Sequence, residues 1–186
     1  MTGTFVAVVG PSGVGKDSLI GFARARLEAS GRVKFVRRVV TREADGGSED
    51  HDSLTVADFA AAEADGRFAL NWDAHGLRYG LPIALEDEIG AGRVVVANLS
   101  RSVIPALMER YPDALVVSVT ADRDVLERRL AARGRETPES IGKRLDRKVS
   151  DTLPASTINI DNSGDLAAAG ERFVALLQDA AGLVKA

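Results

Sequence analysis

Gly10-Pro11-Ser12-Gly13-Val14-Gly15-Lys16-Asp17-Ser18 is the stretch that most restricts what this chain can become. It follows the apolar run Phe5-Val6-Ala7-Val8-Val9 and leads into a segment of helical period, so it reads as a strand, a tight glycine turn and a helix start. The glycines let the backbone turn sharply, so that successive N–H groups converge into an anion-binding nest. The helix that follows adds the positive end of its dipole. The Lys16 ammonium is a mobile point charge able to follow the outer phosphates of a nucleoside triphosphate. Gly10, Pro11, Ser12, Gly13, Val14, Gly15, Lys16, Asp17 and Ser18 are therefore the candidate nucleotide-phosphate residues, and Lys16 is also a candidate catalytic residue. The alternative is a strand-to-helix turn without a ligand, which would not call for a lysine at this spacing.

The hydroxyl that usually follows the lysine directly is displaced by one position: Asp17 comes first and Ser18 second. Ser18 is the candidate for phosphate and magnesium contact. Asp17 either holds magnesium through a water, meets an acceptor hydroxyl, or is simply an acid in the first turn of a helix. A strand ending in Asp, the usual second magnesium element, is missing. Arg93-Val94-Val95-Val96-Ala97-Asn98 has the apolar run but ends in an amide, so magnesium would rest mainly on phosphates, waters and Ser18.

Strand-length apolar runs at 5–9, 33–40, 94–97, 115–119 and 157–160 alternate with helical stretches at 16–28, 56–64, 83–90, 101–110, 122–132, 138–150 and 165–183. Asp122 and Asp165 stand at N-cap positions, and Gly31 and Gly134 lie just past helix ends. The alternation predicts an α/β fold, with a parallel sheet core flanked by helices. Two polar stretches interrupt it, Thr41 to Ser53 and Arg133 to Pro138, and long polar loops in such domains are commonly functional.

The totals set outer limits. A chain of 186 residues is the size of one domain, and a formal charge of -3 gives no reason to expect nucleic acid or a membrane surface as partner. There is no cysteine, which removes disulfides and thiolate metal sites. The N-terminal apolar run is too short to span a bilayer, and a cytoplasmic location is the expectation. His51 and His75 lack metal-ligand spacing, so no zinc site is expected.

Transfer between two polyanions requires cations that neutralise charge and exclude water. Arg128, Arg129, Arg133, Arg135, Lys143, Arg144 and Arg147 supply them within one helix-turn-helix segment suited to closing as a lid. Arg133 and Arg144 are the candidate catalytic pair. Glu127, Glu136, Glu139 and Asp146 are interspersed, so Arg128 and Arg147 also fit a solvated ion-pair surface. On the acceptor side, Arg42 begins the polar loop and could grip a phosphate bidentately, and Tyr79 lies in a turn-like run. Glu49, Asp50 and Asn98 complete the candidate acceptor group, whereas Phe68 and Trp72 read as core. His75 is an alternative general base, although a phosphate acceptor arrives already ionised.

Taken together, the glycine loop, Val40-Thr41-Arg42 after the second strand, His75-Gly76-x-x-Tyr79-Gly80, and the run from Arg133 to Leu145 resemble the guanylate kinase superfamily along nearly the whole chain. The resemblance implies one domain in three parts: a core (1–36, 91–121 and 152–186), an acceptor-binding insert at about 37–90 and a lid at about 122–151. The departures are informative. Asp45 stands where the superfamily has a second phosphate-binding Arg, Leu70 where a Glu reads guanine, and Leu81 where a Ser or Thr helps to read it. A site that reads a base by hydrogen bonds loses orders of magnitude in specificity without those partners. Asp17, the shortened Gly47-Ser48-Glu49-Asp50-His51 loop and Leu70-x-Trp72-x-Ala74-His75-Gly76 instead resemble a sugar-phosphate branch serving phosphonate catabolism. That branch implies ATP with Mg2+ as donor, ribose 1,5-bisphosphate as acceptor and 5-phospho-α-D-ribose 1-diphosphate as product. Small molecules are then the expected partners of a monomer or homodimer. A nucleoside-monophosphate kinase is the alternative within the class, and a non-catalytic guanylate kinase-like binding module is the alternative outside it.

Overall fold

The computed structural model describes residues 3–42, 51–74, 76–132 and 153–183. Its spine is β1 (Phe5–Val9), buried at every position because both faces of the strand are covered. β1 is the centre of a five-stranded sheet with β2 (Val33–Phe35), β7 (Val94–Asn98), β8 (Leu115–Thr120) and β9 (Ile158–Asp161), in the order β2-β7-β1-β8-β9. All four pairings are parallel, as valine-rich strands without polar alternation require.

Side-chain alternation along β1 divides the interior in two. Val6 and Val8 join Leu19 and Ala23 of α1 (Lys16–Leu27) and Phe173, Val174 and Leu177 of α6 (Leu166–Ala180). Phe5, Ala7 and Val9 face the other way, toward Ile104 and Leu107 of α4 (Ile104–Arg110). This second cluster continues into a smaller sheet formed by β3 (Arg38–Val40), β4 (His51–Ser53), β5 (Phe68–Ala74) and β6 (Leu77–Pro82), in the order β4-β3-β6-β5. Ala69, Leu70 and Leu81 bring its apolar face into contact with Val95 and Ala97 of the large sheet. Two helices flank this region, α2 (Val56–Ala64) and α3 (Leu85–Gly90). α2 opens on Thr55, whose hydroxyl accepts from the Asp58 N–H and donates to its carboxylate. Among the described residues the remaining α-helix is α5 (Arg123–Ala132), which begins one residue after Asp122.

Several expectations change in detail. The run 33–40 is two strands: β2 pairs with β7, and after Val36 and Arg37 the chain crosses to the second sheet, where β3 pairs with β6. The charged pair Arg37-Arg38 interrupts what a doubly covered strand would need. The helix read at 101–110 starts as a 3-10 turn (Arg101–Val103) before α4, whose first turn contains Pro105. β5 and β6 are additional strands: Asn71 and Asp73 in β5, and Arg78 and Gly80 in β6, leave no continuous apolar run to mark them. β4 falls inside the stretch read as a polar loop. Asp165 caps α6 as expected, its side chain accepting from the Ala167 N–H. The helix expected at 138–150 lies outside the described residues.

α1 and α6 approach closely at Gly170, where a Cβ would run into the Phe22 ring. Gly→Ala in an open helix interior gains roughly 0.5–1 kcal/mol. Gly170→Ala is expected to do the reverse and lower the melting temperature; a rise would contradict this helix packing.

Candidate functional site: a phosphate cradle at the end of the central strand

Three glycines after β1 are held where no other residue fits without movement. A Cβ on Gly10 would run into the Val119 carbonyl of β8. Gly13 (φ 82°) and Gly15 (φ 93°) are left-handed, and a Cβ on Gly15 would lie 2.5 Å from Asn162 Nδ2. Between them Val14 points inward and is fully buried, pinning the loop to the core. Gly15 is the N-cap of α1 and has no side chain to cap it, so among the described residues no side chain takes the first-turn N–H groups.

Lys16 Nζ donates to the carbonyls of Gly10 (2.8 Å) and Pro11 (3.2 Å), folding the ammonium over its own loop. Asp17 is half-buried, and one of its carboxylate oxygens accepts from Asn98 Nδ2 at 2.7 Å. Ser18 is exposed. The structure thus brings the expected loop residues and Asn98 together at the C-terminal edge of the large sheet, where ligands bind in open α/β folds. Among the described residues no group of three or more His, Asp or Glu side chains gathers to hold a metal. The oxygen donors present, the Ser18 hydroxyl and the Asp17 carboxylate, fit a magnesium ion that keeps most of its waters and takes the rest of its ligands from phosphates.

Two donors that the sequence did not mark out as loop partners hold the cradle from outside. Asn162, just after β9, donates from Nδ2 to the Val14 carbonyl at 2.7 Å, and Arg129 of α5 reaches the same oxygen at 3.3 Å. Asn162 is 2% exposed and its backbone N–H bonds Thr120, so its position is set by the β8–β9 pairing. Arg129 was read only as one of several cations in the lid segment. Its place beside the loop depends on how α5 packs, which composition does not reveal.

On the other side, Thr41 joins the end of β3 to β6: its N–H donates to the Arg78 carbonyl and its hydroxyl accepts from the Arg78 N–H at 2.9 Å. Arg42, half-buried, comes next. Tyr79 is not in a turn, as its neighbours suggested, but inside β6, paired with Trp72 across the hairpin. The two rings stack at 5.4 Å with an 8° interplanar angle, and the Arg38 guanidinium lies 5.6 Å from the Tyr79 ring centre. Phe68 stacks on Phe59 at 4.6 Å and Trp72 packs against the second cluster, and both are half-buried at the margin of the core. Leu70 and Leu81 are paired across the same hairpin and buried in that cluster, with no polar group of their own to offer a base. Glu49, Asp50, His75, Arg133 and Arg144 lie outside the described residues.

A parallel sheet carrying this cradle beyond its central strand defines an α/β P-loop kinase. Its fold is that of a guanylate kinase: the enzyme from Anaplasma phagocytophilum superposes with a TM-score of 0.69 at 17% identity, over 96% of this chain and 86% of that one. Ribose 1,5-bisphosphate phosphokinase PhnN of Brucella melitensis is 51% identical over 180 residues, covering 96% of this chain and 94% of that protein. A bifunctional ribose 1,5-bisphosphokinase-thymidine phosphorylase of Azorhizobium caulinodans is 49% identical over 177 residues, or 95% of this chain and 26% of that longer protein. The chain belongs to the ribose 1,5-bisphosphate phosphokinase family. No protein-family model matches it.

Replacing Asn162 by Ala removes a buried donor from the Val14 carbonyl, at an expected cost of about 1–3 kcal/mol. Urea denaturation should show the loss and titration calorimetry a weaker nucleotide affinity. Unchanged values in both would mean that the brace does not hold the loop.

Proposed function

We propose that this kinase transfers the γ-phosphoryl group of ATP to the C1 phosphate of ribose 1,5-bisphosphate, giving ADP and 5-phospho-α-D-ribose 1-diphosphate, a step of phosphonate catabolism. The observation that carries the donor half is the glycine N-cap of α1, which brings no side-chain acceptor of its own, with the Lys16 ammonium folded over the same loop. The acceptor half is supported by the family and by the leucines at 70 and 81. A C1 phosphate oxygen attacks the γ-phosphorus, the bond from that phosphorus to the β–γ bridging oxygen breaks, and the electron pair leaves on ADP. The attacking oxygen is already ionised, so positioning and charge neutralisation do the work.

In this reading the amides from Gly13 to Ser18 seat the β- and γ-phosphates. Lys16 leaves the carbonyls of Gly10 and Pro11 and follows the transferred group. Ser18 and, through a water, Asp17 would hold Mg2+. When bound, that ion supplies charge neutralisation on the β- and γ-oxygens. Arg42, Tyr79 and Asn98, with Glu49 and Asp50, bind the acceptor, and Arg133 and Arg144 clamp the transition state. The role of Tyr79 falls to its hydroxyl, because its ring is taken up by Trp72. We assign acceptor binding to the β3–β6 sheet with its helices (about 37–90), a lid to about 122–151, and the core to the rest. The partners are small molecules, the compartment is the cytoplasm and the assembly is a monomer or homodimer. Among the described residues no helix is long and apolar enough to cross a membrane.

ADP release measured with ribose 1,5-bisphosphate, GMP and AMP in parallel tests the acceptor. Turnover with the sugar bisphosphate alone is expected. Robust GMP phosphorylation would establish the nucleoside-monophosphate kinase alternative, and no ATP binding at all the binding-module alternative. Lys16→Ala is expected to lower kcat by at least about 10²–10³-fold with an unchanged melting temperature. Normal turnover by this folded variant would overturn the mechanism.

A further inference from the structure

Asn98 ends β7 at the position where P-loop enzymes commonly carry a magnesium-facing carboxylate. It lies directly beside the loop: β7 pairs with β1 in a register that sets Asn98 against Val8, two residues before Gly10. The side chain is 7% exposed and donates from Nδ2 to an Asp17 carboxylate oxygen at 2.7 Å. An ionised carboxylate only accepts, so the amide must present its nitrogen to Asp17 and its oxygen away from it. That oxygen, Asn98 Oδ1, is buried and meets no donor among the described residues. A carbonyl left in this state costs about 1–3 kcal/mol.

Asp17 is equally costly in a different way. A carboxylate next to Lys16, at the rim of a nest built for phosphates, repels the anion the nest is meant to hold. An acid serving only the helix dipole needs neither burial nor a buried partner. Asp17 has both. The repulsion disappears if a cation sits between the carboxylate and the phosphates.

We propose that the strand-end carboxylate has been transferred onto the helix: Asp17 supplies the negative charge facing magnesium, and Asn98, beside the acceptor contact assigned to it above, acts through its Nδ2 as a positioning residue that holds Asp17 in that orientation. This rests on the kinase reading above and deepens it. The two positions are near enough to exchange roles. A carboxylate at 98 with an amide at 17 preserves one charge, one donor and the contact between them. Two carboxylates at this separation oppose each other and favour uptake of a proton.

The test is ATP affinity by titration calorimetry, with excess Mg2+ and with EDTA, for the unsubstituted protein, Asp17→Asn, Asn98→Asp and the double exchange. Asp17→Asn is expected to bind metal-free ATP at least as tightly as the unsubstituted protein, because a repulsion has gone. Its gain in affinity on adding Mg2+ is expected to shrink by about 10–100-fold. The double exchange is expected to recover most of that gain, and Asn98→Asp alone to fall short of it. A purely structural hydrogen bond would change stability without touching the Mg2+ increment. The proposal is overturned if Asp17→Asn keeps the full increment, or if the folded double exchange does no better than Asp17→Asn. Should the exchange fail to fold, the isosteric Asp17→Asn decides alone. Failure of the unsubstituted protein to bind ATP under either condition would overturn the kinase reading and this inference with it, whereas normal ATP binding with an unaltered Asp17→Asn overturns only the inference.

Discussion

Val14 is the point from which the phosphate cradle hangs. Its side chain is fully buried among Val8, Leu126 and their neighbours, while its carbonyl takes hydrogen bonds from Asn162 and Arg129. A loop of small residues would otherwise lose little by unravelling, since glycine gives up the most backbone freedom on folding. Here one inward valine and two outside donors offset that entropy. The contact of Gly10 with the β8 backbone and of Gly15 with Asn162 follow from the same clamp. The geometry is therefore fixed before any anion arrives, which lowers the reorganisation that binding requires.

The second dependence is the apolar cluster shared by the two sheets. Leu70 and Leu81, side by side on the β5–β6 hairpin, join Val95, Ala97 and Leu99 of the large sheet and its following loop. Through this contact the smaller sheet is seated against the strand that ends in Asn98, and Thr41 ties the root of the polar loop to β6. The leucines thus have two consequences from one cause. They weld the smaller sheet to the core, and they withhold the hydrogen-bonding groups that reading a purine would demand.

Much of this was legible in the sequence wherever a constraint is local. The glycine loop could be placed because its residue types answer to backbone angles and to the nest that those angles create. β1 and β7 could be placed because a strand covered on both faces must be apolar throughout. The hairpin was missed for the converse reason: β5 alternates buried and open positions, with Asn71 and Asp73 breaking the run. Tyr79 was placed in a turn because Gly76 and Gly80 flank it, yet Gly80 lies within the strand, its Cα against the Phe68 ring. Asn162, Arg129 and the Asp17–Asn98 pair are contacts between residues 81 to 148 positions apart, and nothing local announces such pairings. Only the β8–β9 register, the docking of α5 and the β1–β7 register bring them to the loop.

The most direct measurement is a crystal structure with a non-hydrolysable ATP analogue and magnesium. The β- and γ-phosphates are expected on the N–H groups between Gly13 and Ser18, with the Val14 carbonyl still held by Asn162 and Lys16 Nζ moved from the Gly10 and Pro11 carbonyls onto phosphate oxygens. A nucleotide seated elsewhere, or a Lys16 that keeps its carbonyl partners with the phosphates in place, would contradict this mechanism.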